Sequence, residues 1–311
     1  MNTVNTPSNP MDESFHSQAA APPATLTTRP FYWSVRRELW EYRSIYLAPL
    51  AVAAVFLFGF LLSMAHLPAR MRELSIGMQH NDAILTPYDI LGGLMMVTTM
   101  LVNVFYCSDA LYGERRDRSI LFWKSLPVSD LTTVLAKASI PLLVVPVVAW
   151  AIATAVQWVM LLLSSAVLLA SGMSVFPLWR ELSFFRMSLL LLYHLFTAHT
   201  LWPAPVFCWL LLVSGWARRA PLLWAVLPVV AIGGLEGILF HTSHFAIMVV
   251  TRLIGAAPGT ASTPPGIFPT NPMTHVTPEI FLSNASLFIG LLFAAACLIA
   301  AARLRRYREP I

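Results

Sequence analysis

The sequence predicts an all-α integral membrane protein, and three observations carry this prediction. The chain of 311 residues is 57% hydrophobic and only 11% charged, whereas soluble domains carry about 25% charged residues. Its apolar residues are clustered in uncharged stretches that reach the roughly 20 residues needed for a helix to cross a bilayer. Its net charge is +5, but the sequence has no patch in which basic residues are interleaved with aromatic ones. The composition therefore argues against a soluble domain and against nucleic-acid binding.

The apolar stretches predict six transmembrane helices. The third stretch is longer than one span requires. We interpret it as one long helix that protrudes from the membrane, because Pro141 and Pro146 would kink a helix rather than reverse it. Two helices within residues 139–171 remain the alternative. The predicted spans are Tyr46–Ala65, Ile90–Tyr112, Ser139–Ser171, Met187–Val213 with a bend near Pro203 and Pro205, Leu222–Phe240 and Ile280–Ala302.

The segments outside these spans differ in character. Residues 1–29 are polar and rich in Pro, Thr and Ser, which predicts a disordered cytoplasmic tail. Residues 30–45 place apolar side chains at spacings of three and four, and they predict an interfacial helix or an extension of the first span. Residues 241–279 are moderately apolar with six prolines. We interpret them as an extracytoplasmic segment with a short re-entrant or surface helix around Phe245–Ile254, before the last span.

The distribution of Lys and Arg predicts the orientation. If the N-terminus is cytoplasmic, the inner segments of a six-span chain hold fifteen of these residues and the outer segments hold five. Cytoplasmic loops carry the excess of positive charge in membrane proteins. We therefore expect a multi-pass protein of the cell (inner) membrane with both termini in the cytoplasm. Residues 113–137 then form a cytoplasmic loop between the second and third spans.

This loop has the most informative pattern in the chain. It begins with alternating charges from Glu114 to Arg118, continues with an amphipathic block at Ile120–Leu126, and is broken at Pro127. Ser129 is suited to cap a new helix, and Asp130 favours the positive end of that helix. The pattern fits a docking element for a cytoplasmic partner. It also fits an amphipathic connector lying on the membrane, and charge and aromatic content alone do not separate the two.

The loop resembles one family. Its residues Glu114-Arg115, Ser119-Ile120-Leu121, Ser125-Leu126-Pro127-Val128-Ser129 and Lys137 are similar to a cytoplasmic stretch of the ABC-2 family of ABC transporter permeases. That stretch reads R.DG(S/T)…L..LPVS…..(G/A)K and follows the second span. Six spans and an N-terminal interfacial helix also fit the family. Arg118 stands where many members have Gly, and we therefore expect a more helical turn here.

The resemblance implies a transmembrane permease subunit of an ATP-driven ABC transporter, usually an exporter. It implies a separate ATPase subunit, which would hold ATP and Mg²⁺, and a second permease copy or a related permease beside this chain in the lipid bilayer. The residues carried over to the ATPase contact are Glu114, Arg115, Arg116, Asp117 and Arg118, with Leu126, Pro127, Val128 and Ser129 shaping the turn that follows them.

No ATPase motif is present in this chain. The phosphate-binding loop requires Gly-x-x-x-x-Gly-Lys followed by Ser or Thr, and neither of the two lysines, Lys124 and Lys137, stands in that pattern. We therefore expect no enzymatic activity and no cofactor or metal on this chain. A membrane scaffold or assembly factor without transport remains an alternative. An intramembrane enzyme is a weaker one, since the spans hold no nucleophile or metal motif.

Two carboxylates lie in or near the predicted spans. An ionisable group inside a bilayer usually faces a partner or a water-filled cavity, because its insertion costs roughly 2.5–3.5 kcal/mol. For Asp109 we expect a salt bridge to Arg115 or Arg116. For Glu236, which is flanked by glycines, two interpretations stay open. It lies on a substrate route or in a rearranging ion pair, or it lies at the outer interface against water or an arginine.

Overall fold

The computed structural model describes residues 30–67, 80–125, 128–181, 183–254 and 281–307. All the regular secondary structure in these described residues is helical, and several helices are apolar over a membrane-spanning length. The chain is therefore an all-α membrane protein, as the composition predicts.

The helices differ greatly in length, from a single short turn to membrane-length segments. They are α1 Pro30–Glu41, α2 Ser44–Ser63, α3 His80–Asp109, α4 Tyr112–Arg116, α5 Ser119–Ser125, α6 Asp130–Ser139, α7 Val145–Ala170, α8 Phe176–Glu181, α9 Phe184–Phe196, α10 Ala204–Trp216, α11 Pro221–Phe240, α12 His244–Ile254 and α13 Ala285–Tyr307.

By length and apolar composition, five helical segments of the described residues can cross a membrane, and a bent pair raises the number to six. The bent pair consists of Phe184–Leu201 and Ala204–Trp216, which meet at an angle of 48°. Pro203 lies between the two helices and Pro205 lies in the first turn of the second. Because proline lacks an N–H and disturbs the preceding turn, the bend predicted at these prolines is confirmed.

The long third apolar stretch is one helical run. It extends without interruption over Asp130–Ala170 and contains 41 residues, which corresponds to a length of about 60 Å. The interpretation as one helix is confirmed, although the run begins at Asp130 rather than at Ser139. A π-helical turn at Ile140–Val144 joins α6 to α7. Pro141 in this turn disturbs the helix without ending it, and Asn103 of α3 donates to its carbonyl oxygen at 3.3 Å.

The smaller predicted elements are present where the structure describes them. The helix predicted within residues 30–45 is α1, and the short helix expected around Phe245–Ile254 is α12. The tail at residues 1–29 lies outside the described residues. Of the segment predicted to be extracytoplasmic, only residues 241–254 are described.

The bundle packs around two apolar clusters that follow one another along its length. One cluster joins the second half of α2 to the first half of α3, α7 and α9, and Leu91, Met95 and Leu161 are fully buried in it. The other joins the beginning of α2 to the end of α3 and to α10, and contains Ile45 and Phe207. In contrast, only 6% of the apolar part of α11 is buried, so most of this helix faces outward, as a lipid-facing helix does.

A buried arginine attaches α12 to the bent pair and to the last helix. Arg252 is only 6% exposed, donates to the Trp202 carbonyl at 3.0 Å, and donates to the Ser286 carbonyl at 2.7 Å. Its guanidinium also lies over the Trp202 ring, 4.6 Å from the centroid. Trp202 in turn donates its indole N–H to the Thr251 carbonyl at 3.2 Å. The carbonyl of Trp202 lies at the helix break, so the arginine supplies a donor where the helix is interrupted.

This attachment depends on a glycine, and substituting the glycine tests it. A Cβ atom added at Gly290 of α13 would lie 2.6 Å from the Arg252 Nη1 and 2.9 Å from the Pro205 Cγ. The guanidinium cannot easily move away because it is hydrogen-bonded and stacked. We therefore expect Gly290→Ala to lower the free energy of unfolding by about 1–3 kcal/mol, the usual cost of overpacking, as measured by unfolding in detergent micelles.

The matched control is Gly234→Ala in α11, where an added Cβ would meet no atom within 4 Å. Since alanine has the higher helix propensity, this change should leave stability equal or slightly higher. Equal effects of the two substitutions would contradict the described attachment.

Candidate functional site

Four segments that are distant in the sequence bring charged side chains together at one end of the bundle, which we call the charged end. They contribute Glu38 from α1, Glu114 from α4, Lys137 from α6 and Arg305 from α13. Their exposed fractions are 1%, 2%, 0% and 5%. Fully buried charges are rare in proteins unless they are paired, so the contacts among these four residues decide whether this end is stable.

Lys137 lies between two carboxylates. Its Nζ atom is 2.9 Å from Glu38 Oε1 and 3.3 Å from Glu114 Oε1. The Nη2 atom of Arg37 contacts the same two oxygens, at 2.6 and 2.7 Å. Burial, the largest single effect, lowers the pKa of the Arg37 guanidinium, but the carboxylates of Glu38, Glu114 and Glu41 together raise it, and the net shift is upward. Arg37 therefore stays charged in this cluster.

The outer part of the cluster attaches the last helix. Arg305 approaches Glu114 Oε2 at 3.4 Å and Asp130 Oδ1 at 2.6 Å. Tyr106 of α3 donates its hydroxyl to Glu38 Oε2 at 2.8 Å. The cluster, which we call the buried charge network, contains three carboxylates and three cations, and the exposed Glu41 lies at its rim, 3.8 Å from the Arg37 Nε atom. Its members are Glu38, Glu114, Asp130, Arg37, Lys137 and Arg305.

The local sequence explains how two of these charges become buried. Glu38 lies on the same side as Val35 and Leu39 of α1 and Tyr42 just after it, which pack against the apolar cluster of α3 and α10, so the carboxylate is carried inward with them. The position of Lys137, in the last turn of α6, is determined by where that helix begins. The helix begins after Ser129, whose side chain accepts from the backbone N–H of Thr132 at 3.1 Å. This N-cap confirms the helix start predicted at Ser129.

The five charged residues predicted at the start of the loop divide into two groups. Glu114 and Arg115 point into the protein and are buried. Arg115 donates to the carbonyls of Gly215 and Ala217 at 2.8 and 3.0 Å, which attaches the loop to the end of α10. Residues 116–118 are exposed. Within this chain, the first two residues thus hold the loop in place, and the other three remain accessible.

Helix α5 extends the accessible surface. Ile120 is buried at 2% exposure, whereas Leu121 and Phe122 on the other side are 59% and 61% exposed. The amphipathic block predicted at Ile120–Leu126 is thereby present as α5. Charged and apolar side chains together form what we call the α4–α5 surface, which consists of Arg116, Asp117, Arg118, Leu121 and Phe122.

The turn between α4 and α5 differs from the expectation for Arg118. Its φ angle is +56°, so the residue is left-handed and the turn is not helical. The positive φ is the conformation that glycine adopts most readily. The expectation of a more helical turn was wrong, because the chain makes a sharp turn at this position. The left-handed conformation costs about 1–2 kcal/mol for a residue with a Cβ atom.

The remaining loop residues are only partly described. Leu126 and Pro127 lie outside the described residues, so the predicted break at Pro127 stays a prediction. Val128 is half-buried and precedes the Ser129 cap.

The two carboxylates predicted in or near spans lie at opposite ends of the bundle. Asp109 lies near the charged end, where its Oδ2 atom accepts from the Tyr42 hydroxyl at 3.2 Å. Its Oδ1 atom is 3.8 Å from the Arg116 guanidinium, so the salt bridge expected with Arg116 is present. Together the two contacts join the end of α3 to α4 and to the residue that follows α1.

Glu236 lies in the last turns of α11, at the other end of the bundle, and caps the following helix. Its carboxylate accepts from the backbone N–H groups of His244 and Phe245, both at 2.8 Å, and from the Thr242 hydroxyl at 2.9 Å. These N–H groups are the unsatisfied donors of the first turn of α12. Neither interpretation from the sequence included these backbone N–H groups as partners of Glu236.

Five members of the buried charge network were not among the site residues predicted from the sequence: Arg37, Glu38, Asp130, Lys137 and Arg305. A signal for Glu38 was available, since the residue stands three positions after Val35 and four before Tyr42 on the apolar face of α1. Arg305 carried no such signal, because it is one of several arginines near the C-terminus. Among the residues that the structure describes, no group of three or more His, Cys, Asp or Glu side chains is placed to hold a metal ion.

The two lysines of the chain provide a test of the buried charge network. We expect Lys137→Met to lower the free energy of unfolding by about 3–5 kcal/mol, because the change leaves two buried carboxylates with less compensation. Lys124→Met is the matched control. Lys124 is exposed and its Nζ is 3.4 Å from the Arg306 carbonyl, so its loss should cost less than about 1 kcal/mol. Unfolding of both variants in detergent micelles gives the comparison, and equal losses would contradict the network's contribution.

Comparison of the chain with protein-family models, with curated proteins and with solved structures found no match.

Proposed function

We propose that the chain is the transmembrane permease subunit of an ATP-driven ABC exporter, and that it works with a separate ATPase subunit. The observation that carries the proposal is the arrangement of the charged end. There, an accessible surface of two short helices is attached to the spans through the buried charge network. The similarity of this loop to ABC-2 permeases, noted from its sequence, supports the same function.

Contacts at the charged end support the six-span topology. Glu38, Glu114 and Lys137 meet there, and Arg115 brings the end of α10 to the same place. Two membrane-length helices, α2 and α3, lie between Glu38 and Glu114. The long run ending in α7 and the bent pair lie between Lys137 and the end of α10, and α11 and α13 lie between that end and Arg305. Each interval holds two crossings, which gives six.

The same count supports the proposed orientation. Since six crossings return the chain to the side from which it started, α1 and the end of α13 share one side of the membrane. Fifteen of the twenty Lys and Arg residues belong to the segments of that side. We therefore assign the charged end to the cytoplasm, where a soluble ATPase domain could reach the α4–α5 surface.

The proposed mechanism uses the buried charge network as the mechanical link. ATP binding would bring two ATPase domains together and press on the α4–α5 surface of each permease. Glu114 and Arg115 would pass this force to α1, α6, α10 and α13, because their partners lie on those helices. A shift of these helices opens a path between two permease copies, which are a homodimer or a pair with a related permease.

Affinity purification from native membranes tests the proposal. We expect a protein with a Walker A motif to co-purify with the chain, and we expect Arg118→Glu and Phe122→Asp each to reduce its amount about tenfold, the loss that follows when roughly 1.4 kcal/mol of interface energy is removed. Both residues are exposed, so neither change should unfold the chain.

Arg43→Glu is the matched control, since Arg43 is another exposed arginine at the same end, between α1 and α2. It should leave the co-purified amount unchanged. If no Walker A protein co-purifies, or if all three variants behave alike, the permease proposal fails, and a membrane scaffold becomes the better explanation.

A further inference from the structure

A large groove lies between α2 and α3, away from the charged end. Its volume is about 880 Å³. Seven residues of α2, from Ala51 to Ser63, and four residues of α3, from Thr86 to Leu94, line it. Both helices have the length and composition of membrane spans, so the bilayer is the medium that faces this groove.

The polarity of the lining residues changes along the groove. None of the lining residues is charged, and most are aliphatic or aromatic. Phe60 forms part of its floor and belongs to the apolar core, while Val55 and Ile90 at its walls are 73% and 50% exposed. The two hydroxyl residues, Ser63 and Thr86, both lie at the end of the groove remote from the charged end. The groove is thus apolar along its length and polar at its mouth.

Helix α2 carries a glycine, Gly59, in the lining of the groove. A Cβ atom added at Gly59 would meet no atom within 4 Å. An unfilled apolar groove of this size would leave its lining without the dispersion contacts that a close-packed surface makes. Water is a poor occupant, since apolar surface is favourably transferred out of water. An occupant that fills the groove with hydrocarbon removes both penalties.

The length of the groove matches one leaflet of a bilayer. The twelve helical steps from Ala51 to Ser63 correspond to about 18 Å, and one leaflet contributes about half of the roughly 30 Å hydrocarbon core. A helix of a second copy that packed parallel to α2 would make contact in both leaflets, and the groove does not extend that far. The polar mouth at Ser63 and Thr86 lies where a lipid headgroup would begin.

From this geometry we infer that the groove between α2 and α3 is a lipid-binding site that holds an acyl chain of a bilayer phospholipid. The acyl chain lies along Val55, Gly59 and Ile90, and the headgroup lies by Ser63 and Thr86. The lipid belongs to the leaflet opposite the charged end. This site does not depend on the proposed transport activity, because it follows from the shape and polarity of the spans alone.

Photolabelling in lipid nanodiscs tests the inference. The full chain is reconstituted in phosphatidylcholine doped with a phosphatidylcholine that carries a diazirine in the middle of one acyl chain, and labelled peptides are mapped by mass spectrometry after illumination. We expect labelling to concentrate on groove residues of α2 and α3. Gly59→Leu, which fills the groove, should lower that labelling about tenfold, equivalent to a loss of roughly 1.4 kcal/mol in binding.

Gly234→Leu is the matched control, because Gly234 also lies in a span and also has open space around an added Cβ. It should leave labelling of the groove unchanged. Ala51→Phe, at the other end of the groove, serves as a second filling variant if Gly59→Leu does not yield folded protein. Uniform labelling of all outward-facing helices, or labelling that neither filling variant lowers, would mean bulk lipid contact only and would overturn the inference. Disulfide-linked dimers of a Val55→Cys variant in native membranes would overturn it in favour of a second copy.

Discussion

The ion pairs of Lys137 with Glu38 and Glu114 are the interaction on which the rest of the charged end depends. Each ion loses its hydration when it is buried, at an effective cost of several kcal/mol, so each of the three is stable there only when it is paired with opposite charge. The pairing is possible only if α1, α4 and α6 stand in one relative arrangement. The network therefore specifies how the N-terminal helix, the loop after α3 and the long third helix fit together, in addition to any stability that it contributes.

The position of the network also explains why the same loop has an inner and an outer part. Glu114 and Arg115 form buried contacts with other helices, while Arg116 to Arg118 and the outer face of α5 remain accessible. A surface attached in this way is suited to pass a displacement to the spans. The proposed permease, driven by a separate ATPase, would require such a link.

The sequence was sufficient for features that depend on local chemistry. Apolar stretches predicted the membrane-length helices, Pro203 and Pro205 predicted the bend, and Ser129 predicted the start of α6. It was insufficient where residues far apart in the chain meet. Glu114 and Arg115 looked like surface charges, because nothing nearby in the sequence indicates that Lys137, Arg305 and the end of α10 satisfy them. The partners of Glu236 were not predictable for the same reason, since they include backbone N–H groups of the next helix.

The central claim is that Glu38 and Lys137 act as one energetic unit, and a double-mutant cycle measures this directly. The free energies of unfolding in detergent micelles are compared for Glu38→Gln, Lys137→Met and the double variant. If the buried pair is coupled as the 2.9 Å contact indicates, the double variant is less destabilised than the sum of the single variants, by about 1–3 kcal/mol. Additive effects, within about 0.5 kcal/mol, would contradict the account.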